Sequence, residues 1–136
     1  MNTGTPKTTP AMRRTGWILS GIVIAFMAAD ACTTLFAIEP IKKATLETGY
    51  RLDQMWLIGA LQLICLVLYA TPATCVLGAI ILTGFLGGAI TSHFRVAGTV
   101  TPEMIVSLVL GVMAWGGLWF RDPRLRALIP RRIWAG

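Results

Sequence analysis

Four side chains of this sequence bring chemistry into otherwise apolar surroundings: Asp30, Gln62, His93 and Arg95. Asp30 is the one charge in residues 17–38. A carboxylate in such a run costs on the order of 3 kcal/mol on membrane-insertion scales, so it usually faces a protein interior and serves a function. Asp30 stands eight residues before Ile38, the end of its run, and Gln62 stands eight residues after Gln54, the start of the next. At the helical rise both lie roughly 12 Å below the same surface. Acid and amide can therefore hydrogen-bond where their faces meet. His93 and Arg95 close a third run at that surface. An imidazole can shuttle protons near neutrality, and a guanidinium can fix a polar head group while its stem stays in apolar surroundings. With Thr34 one turn outward of Asp30, and Glu103 and Ser107 as wall residues, the expectation is one outward-facing polar pocket.

Each residue also has a plainer role. Asp30 can be a structural carboxylate that fixes helix register, His93 a solvated histidine at a helix end, and Arg95 an anchor to lipid phosphate. A lone histidine is no metal site. The chain carries no nucleophile–base pair, Gly-rich phosphate loop or metal-ligand spacing. No catalytic residue and no metal are expected, and enzymatic activity is not expected of this chain alone. Cys32, Cys65 and Cys75 form no C-x-x-C pair and read as small buried hydrophobes.

The elements that must position these residues follow from charge distribution. The chain is 55% hydrophobic and 13% charged, about half the charge of an average soluble domain. Residues 54–92 and 104–120 carry no charge at all. A hydrocarbon core about 30 Å thick takes about 20 helical residues. Residues 17–38 and 103–120 each suit one crossing, whereas residues 54–92, roughly 58 Å as a helix, suit two. The break falls at Thr71-Pro72, a cap followed by a proline at a first helical position. The expected architecture is all-α: an integral membrane bundle of four transmembrane helices near residues 17–38, 54–70, 72–92 and 103–120, forming one domain over residues 16–120. A signal peptide cleaved near Ala29-Asp30-Ala31 is the competing reading of the N-terminus, but the apolar run continues past that point and matches a full span.

Residues 1–15 read as a disordered tail. Residues 39–53 read as a short interfacial helix over the bundle mouth, started by Pro40 and stopped by Gly49, and Thr101-Pro102-Glu103 as the start of the last span. Residues 121–136 mix arginine with leucine and isoleucine and should lie on an anionic membrane surface. Of the 12 lysines and arginines, Lys7, Arg13, Arg14, Arg121, Arg124, Arg126, Arg131 and Arg132 share one side, and Lys42, Lys43, Arg51 and Arg95 the other. The positive-inside rule then puts both termini in the cytoplasm. The net charge of +6 reflects this asymmetry and is no nucleic-acid signal. Trp17, Trp56, Trp115, Trp119 and Trp134 form an aromatic belt. Small residues at Gly21, Ala25, Ala29 and Thr33, at Gly84, Gly87, Gly88 and Thr91, and at Ser107, Gly111 and Ala114 mark expected helix–helix seams, with homodimerisation through Gly84 and Gly88 as an alternative use.

Three stretches carry a family likeness: GAIILTGFLGGAITSHFR over residues 78–95, WGGLWFRDP over residues 115–123, and Asp30 with the loop from Pro40 to Gly49-Tyr50. In these the chain resembles the DoxX-like family of small bacterial four-helix membrane proteins. The resemblance implies a subunit of the bacterial inner membrane associated with redox chemistry, since relatives occur in thiosulfate:quinone oxidoreductase and in amine-dehydrogenase maturation. Such proteins usually carry a lysine shortly after the span-one aspartate, where Thr34 stands here; a role needing an Asp–Lys pair is not carried over.

The expected function is that of an accessory or assembly subunit whose pocket, lined by Asp30, Gln62, His93 and Arg95, holds a quinone, a lipid or another small hydrophobic ligand. A membrane protein or a second copy of the chain is the expected partner. The alternative is a small proton-coupled transporter that dimerises and uses Asp30 as the proton-carrying carboxylate. A partner-binding bundle whose polar residues only set register is the third reading.

Overall fold

A computed structural model describes residues 7–128 of the 136. Helix α1 spans Pro10–Leu35, α2 Glu39–Glu47, α3 Met55–Ala70, α4 Cys75–Ala97, α5 Pro102–Arg121 and α6 Pro123–Leu128. Four segments, Pro10–Leu35, Leu52–Ala70, Cys75–Ala97 and Pro102–Arg121, are long and apolar enough to cross a membrane. The chain is a multi-pass membrane protein built as a four-helix bundle.

The helix ends differ from expectation for local reasons. Helix α1 begins at Pro10 because Thr9 caps it, its hydroxyl accepting from the Met12 N–H at 3.3 Å, with Pro10 where no N–H is needed. Residues 10–15 are therefore helical, which corrects the reading of 1–15 as disordered; residues 1–6 lie outside the described residues. Thr71 ends α3 rather than starting α4, its hydroxyl bonding back to the Val67 carbonyl at 2.8 Å. Thr74 ties the turn to the Leu68 carbonyl at 2.9 Å, and α4 starts at Cys75. Helix α4 runs past His93 and Arg95 to Gly98, whose φ of +63° closes it in the left-handed conformation that glycine adopts without strain. Helix α6 docks Leu125, 4% exposed, into the core, and Arg126 bonds the Thr8 hydroxyl. The start of the C-terminal tail thus packs on the bundle; the rest of that tail, with Arg131, Arg132 and Trp134, lies outside the described residues.

The spans pack in a ring, α1 against α3, α3 against α4, α4 against α5 and α5 against α1, with at most slight contact across the diagonals. The start of α1, the end of α5 and the α3–α4 turn share one end, here the terminal end; α2 and the α4–α5 loop share the other, the loop end. Burial on α1 follows Gly16, Ser20, Val23, Met27, Ala31 and Thr34, one helical stripe.

Contact is tightest near the terminal end. A Cβ on Gly16 would lie 2.6 Å from the Arg121 nitrogen, one on Gly117 2.5 Å from the Ser20 hydroxyl, and one on Gly78 2.5 Å from the Tyr69 Cα. These glycines make the close seams. Of the expected seams, Gly111 and Ala114 on α5 do face the core, Ala114 being 2% exposed and a Cβ on Gly111 lying 3.7 Å from Leu86. Those on α1 and α4 are corrected, since Gly21, Ala25 and Ala29 are exposed, and Gly21, Gly84, Gly87 and Gly88 meet no neighbouring atom within 4 Å. Small residues at helical spacing occur on both faces, and only the face turned to a partner helix is a seam.

Tyr69, fully buried, ties this end together. Its hydroxyl donates to the Ala114 carbonyl at 2.8 Å and lies 3.1 Å from the Ser20 hydroxyl. Trp115 is likewise a tie, its indole N–H donating to the Thr83 hydroxyl at 2.8 Å. Interhelical hydrogen bonds in membranes average about 0.6 kcal/mol and reach about 1.7, so Tyr69→Phe is expected to cost about 1 kcal/mol in a reversible unfolding measurement. A loss within error would show that the hydroxyl adds nothing to the apolar packing.

Candidate functional site

Toward the loop end the four spans and α2 enclose a cleft of about 690 Å³. Its floor is the top of the core, Met27, Leu86 and Leu110. Helix α2 covers it, turning Ile41, Ala44, Thr45 and Thr48 inward. That helix starts at Glu39-Pro40 and stops at Gly49, whose φ of +82° lets the Tyr50 N–H return to the Thr45 carbonyl at 3.1 Å.

Within the cleft, the Gln62 amide donates to the Asp30 carboxylate at 2.5 Å. Gln62 is 1% exposed, and Asp30 is half-buried and faces the cleft. The equal depths deduced from sequence correspond to this bond. Among the described residues the ion pairs are Lys42–Glu39 and Arg51–Asp53, so Asp30 is held by an amide and not by a cation. The amide occupies one of the carboxylate's acceptor positions and leaves others open toward the cleft, where a ligand's donor could meet them. Thr34, buried, lines the same wall. His93 also lines the cleft, as do Glu103 and Ser107 on α5.

Arg95 is not brought to this group. It is exposed, and its guanidinium reaches the Thr48 carbonyl at 3.4 Å. There it meets the C-terminal end of α2, where orphan carbonyls and the helix dipole favour a cation. Its place is on the cover. Sequence reasoning did not find the second fastening, Tyr50 to Ser92 at 2.8 Å between hydroxyls. Both residues are polar at a membrane boundary, which is the ordinary state of such residues and gave no signal. Arg95→Ala combined with Tyr50→Phe is expected to speed amide hydrogen exchange over residues 45–50 by about tenfold, the worth of roughly 1.4 kcal/mol of lost contacts. Unchanged exchange there would mean that the cover is held by its apolar face alone.

The cysteines hold no common place: Cys65 and Cys75 are buried, and Cys32 is exposed, which corrects its reading as a buried hydrophobe. Among the described residues no group of His, Cys, Asp or Glu could hold a metal ion.

A family model described as the DoxX-like family matches residues 18–117. The chain belongs to the DoxX-like family. The matched stretch holds every cleft residue of this DoxX-like protein, Asp30, Gln62 and His93 included, and ends before Arg121. Neither the curated proteins nor the solved structures gave a match.

Proposed function

We propose that this DoxX-like protein is an accessory or assembly subunit of the bacterial inner membrane, and that its loop-end cleft holds a small amphipathic molecule such as a quinone. The observation that carries the reading is the cleft itself, about 690 Å³ with mostly apolar walls and the Asp30–Gln62 pair on one side. Small-molecule sites run about 300–1,000 Å³ and use a few polar groups among apolar ones to orient the ligand. A quinone ring would lie against Phe26 and Phe85, its carbonyl oxygens accepting from the hydroxyl, amide and imidazole donors of the wall. His93 would exchange protons with the bound molecule. The excess of arginine and lysine at the terminal end supports cytoplasmic termini and a cleft that opens outward.

A second reading is supported by the lack of a cation within 4 Å of Asp30 among the described residues. Such a carboxylate suits a proton-coupled transporter acting as a dimer.

Equilibrium dialysis of a short-tailed quinone against protein in lipid nanodiscs distinguishes the two. Saturable binding at one molecule per chain is expected, weakened about tenfold in Asp30→Asn, which loses the charge-assisted bond that holds the Gln62 amide in place in the cleft wall. No saturable binding to a dimeric protein would overturn the subunit reading in favour of transport.

A further inference from the structure

A second cleft, of about 350 Å³, opens at the terminal end, between the start of α1, the α3–α4 turn and the α5–α6 junction. Arg121, Asp122 and Arg124 line it together with Trp17 and Cys75. Most of these residues lie outside the stretch matched by the family model.

Arg121 is locked in place. Its guanidinium stacks over the Trp17 ring at 4.6 Å and the Tyr69 ring at 5.1 Å, and one of its nitrogens donates to the Tyr69 carbonyl at 3.0 Å. A guanidinium has five N–H donors in a fixed fork, so this bond leaves most of them unused. Asp122 is also fixed: one oxygen accepts the Arg124 backbone N–H at 2.8 Å, and the other lies 3.6 Å from the Cys75 thiol. A carboxylate offers about four acceptor sites, so it too has capacity left. Although the three charges share one cleft, neither arginine approaches the Asp122 carboxylate within 4 Å as an ion pair among the described residues. Two cations and one anion thus line one open space without pairing, at one end of the helices long and apolar enough to cross a membrane.

We propose that this cleft binds a zwitterionic phospholipid head group of the phosphoethanolamine type. The phosphate meets Arg121 and Arg124, which recognise it through charge-assisted, bidentate bonds. The primary ammonium meets Asp122, which accepts its hydrogens. Trp17 flanks the head group at the interface, as tryptophan does at membrane boundaries. A phosphocholine head group has no N–H to give Asp122. A phosphoglycerol head group satisfies the arginines and leaves Asp122 without a cation.

The test is native mass spectrometry of the full chain in nanodiscs containing equal amounts of phosphatidylethanolamine, phosphatidylcholine and phosphatidylglycerol, reading the lipid retained on release. The wild type is expected to retain one phosphatidylethanolamine, enriched about tenfold over phosphatidylcholine. Asp122→Asn keeps the oxygen that caps α6 and removes the charge. It is expected to invert the preference toward phosphatidylglycerol. Arg124→Gln is expected to lower retention of both phosphatidylethanolamine and phosphatidylglycerol. Wild type without preference for phosphatidylethanolamine, or Asp122→Asn with the wild-type preference intact, would overturn the proposal. Saturable binding of soluble phosphoethanolamine in phosphatidylcholine discs would overturn the lipid as its source in favour of a free phosphate compound.

Discussion

Gly78→Ala is expected to lower the thermal unfolding midpoint by on the order of 10 °C, while Gly84→Ala and Gly88→Ala, a few residues along the same helix, leave it nearly unchanged. The added methyl at position 78 would strike backbone, the Leu68 carbonyl carbon and the Tyr69 Cα, each 2.5 Å away. A side chain can rotate aside, but a helix backbone can only move bodily. Overpacking costs about 1–3 kcal/mol where side chains absorb it and more where backbone must shift. The shift would also disturb Tyr69, on which the Ser20, Ala114 and Arg121 contacts converge. At Gly84 and Gly88 the same methyl meets nothing within 4 Å and brings better helix propensity, worth about 0.5–1 kcal/mol. A scan in which all three variants unfold alike would contradict this assignment of the seams.

The second large effect is expected from Gln62→Leu. Leucine keeps the volume and removes the amide that holds Asp30 at 2.5 Å. A hydrogen bond to a charged group contributes about 1.5–3 kcal/mol, so ligand affinity should fall between about tenfold and a hundredfold. Unaltered affinity would mean that the pair is a local contact with no part in ligand binding.

How much of this was legible in the sequence depends on the kind of signal. The number of spans was legible because lipid enforces it: uncharged runs of fixed length have few alternatives. Asp30 and Gln62 were legible as a pair because both depths could be counted from polar boundaries, at Ile38 and Gln54. The cover helix was legible from Pro40 and Gly49, which are punctuation at the backbone level. Arg95 was misplaced because its nearness to His93 in sequence says nothing of direction. On a helix, residues two apart point to different sides, so His93 faces the cleft and Arg95 the end of α2. The seams on α1 and α4 were misread since small residues at helical spacing occur on both lipid-facing and packed faces, while Gly111 and Ala114 on α5 do pack inward. What singles out Gly16, Gly78 and Gly117 is an approach of two backbones, a property of pairs of helices that no single stretch contains. The terminal-end cleft was hidden for the same reason: Trp17, Cys75 and Arg121 come from three separate helices, and each alone reads as an ordinary boundary or buried residue.

The most direct test of the loop-end cleft as a ligand site is native mass spectrometry of the protein extracted in its own membrane patch, wild type beside Asp30→Asn. One small-molecule adduct per chain in the wild type, absent from the variant, is the result expected of a cleft that binds through the Asp30–Gln62 pair. An empty wild type, or the same adduct at the same occupancy in Asp30→Asn, would contradict it.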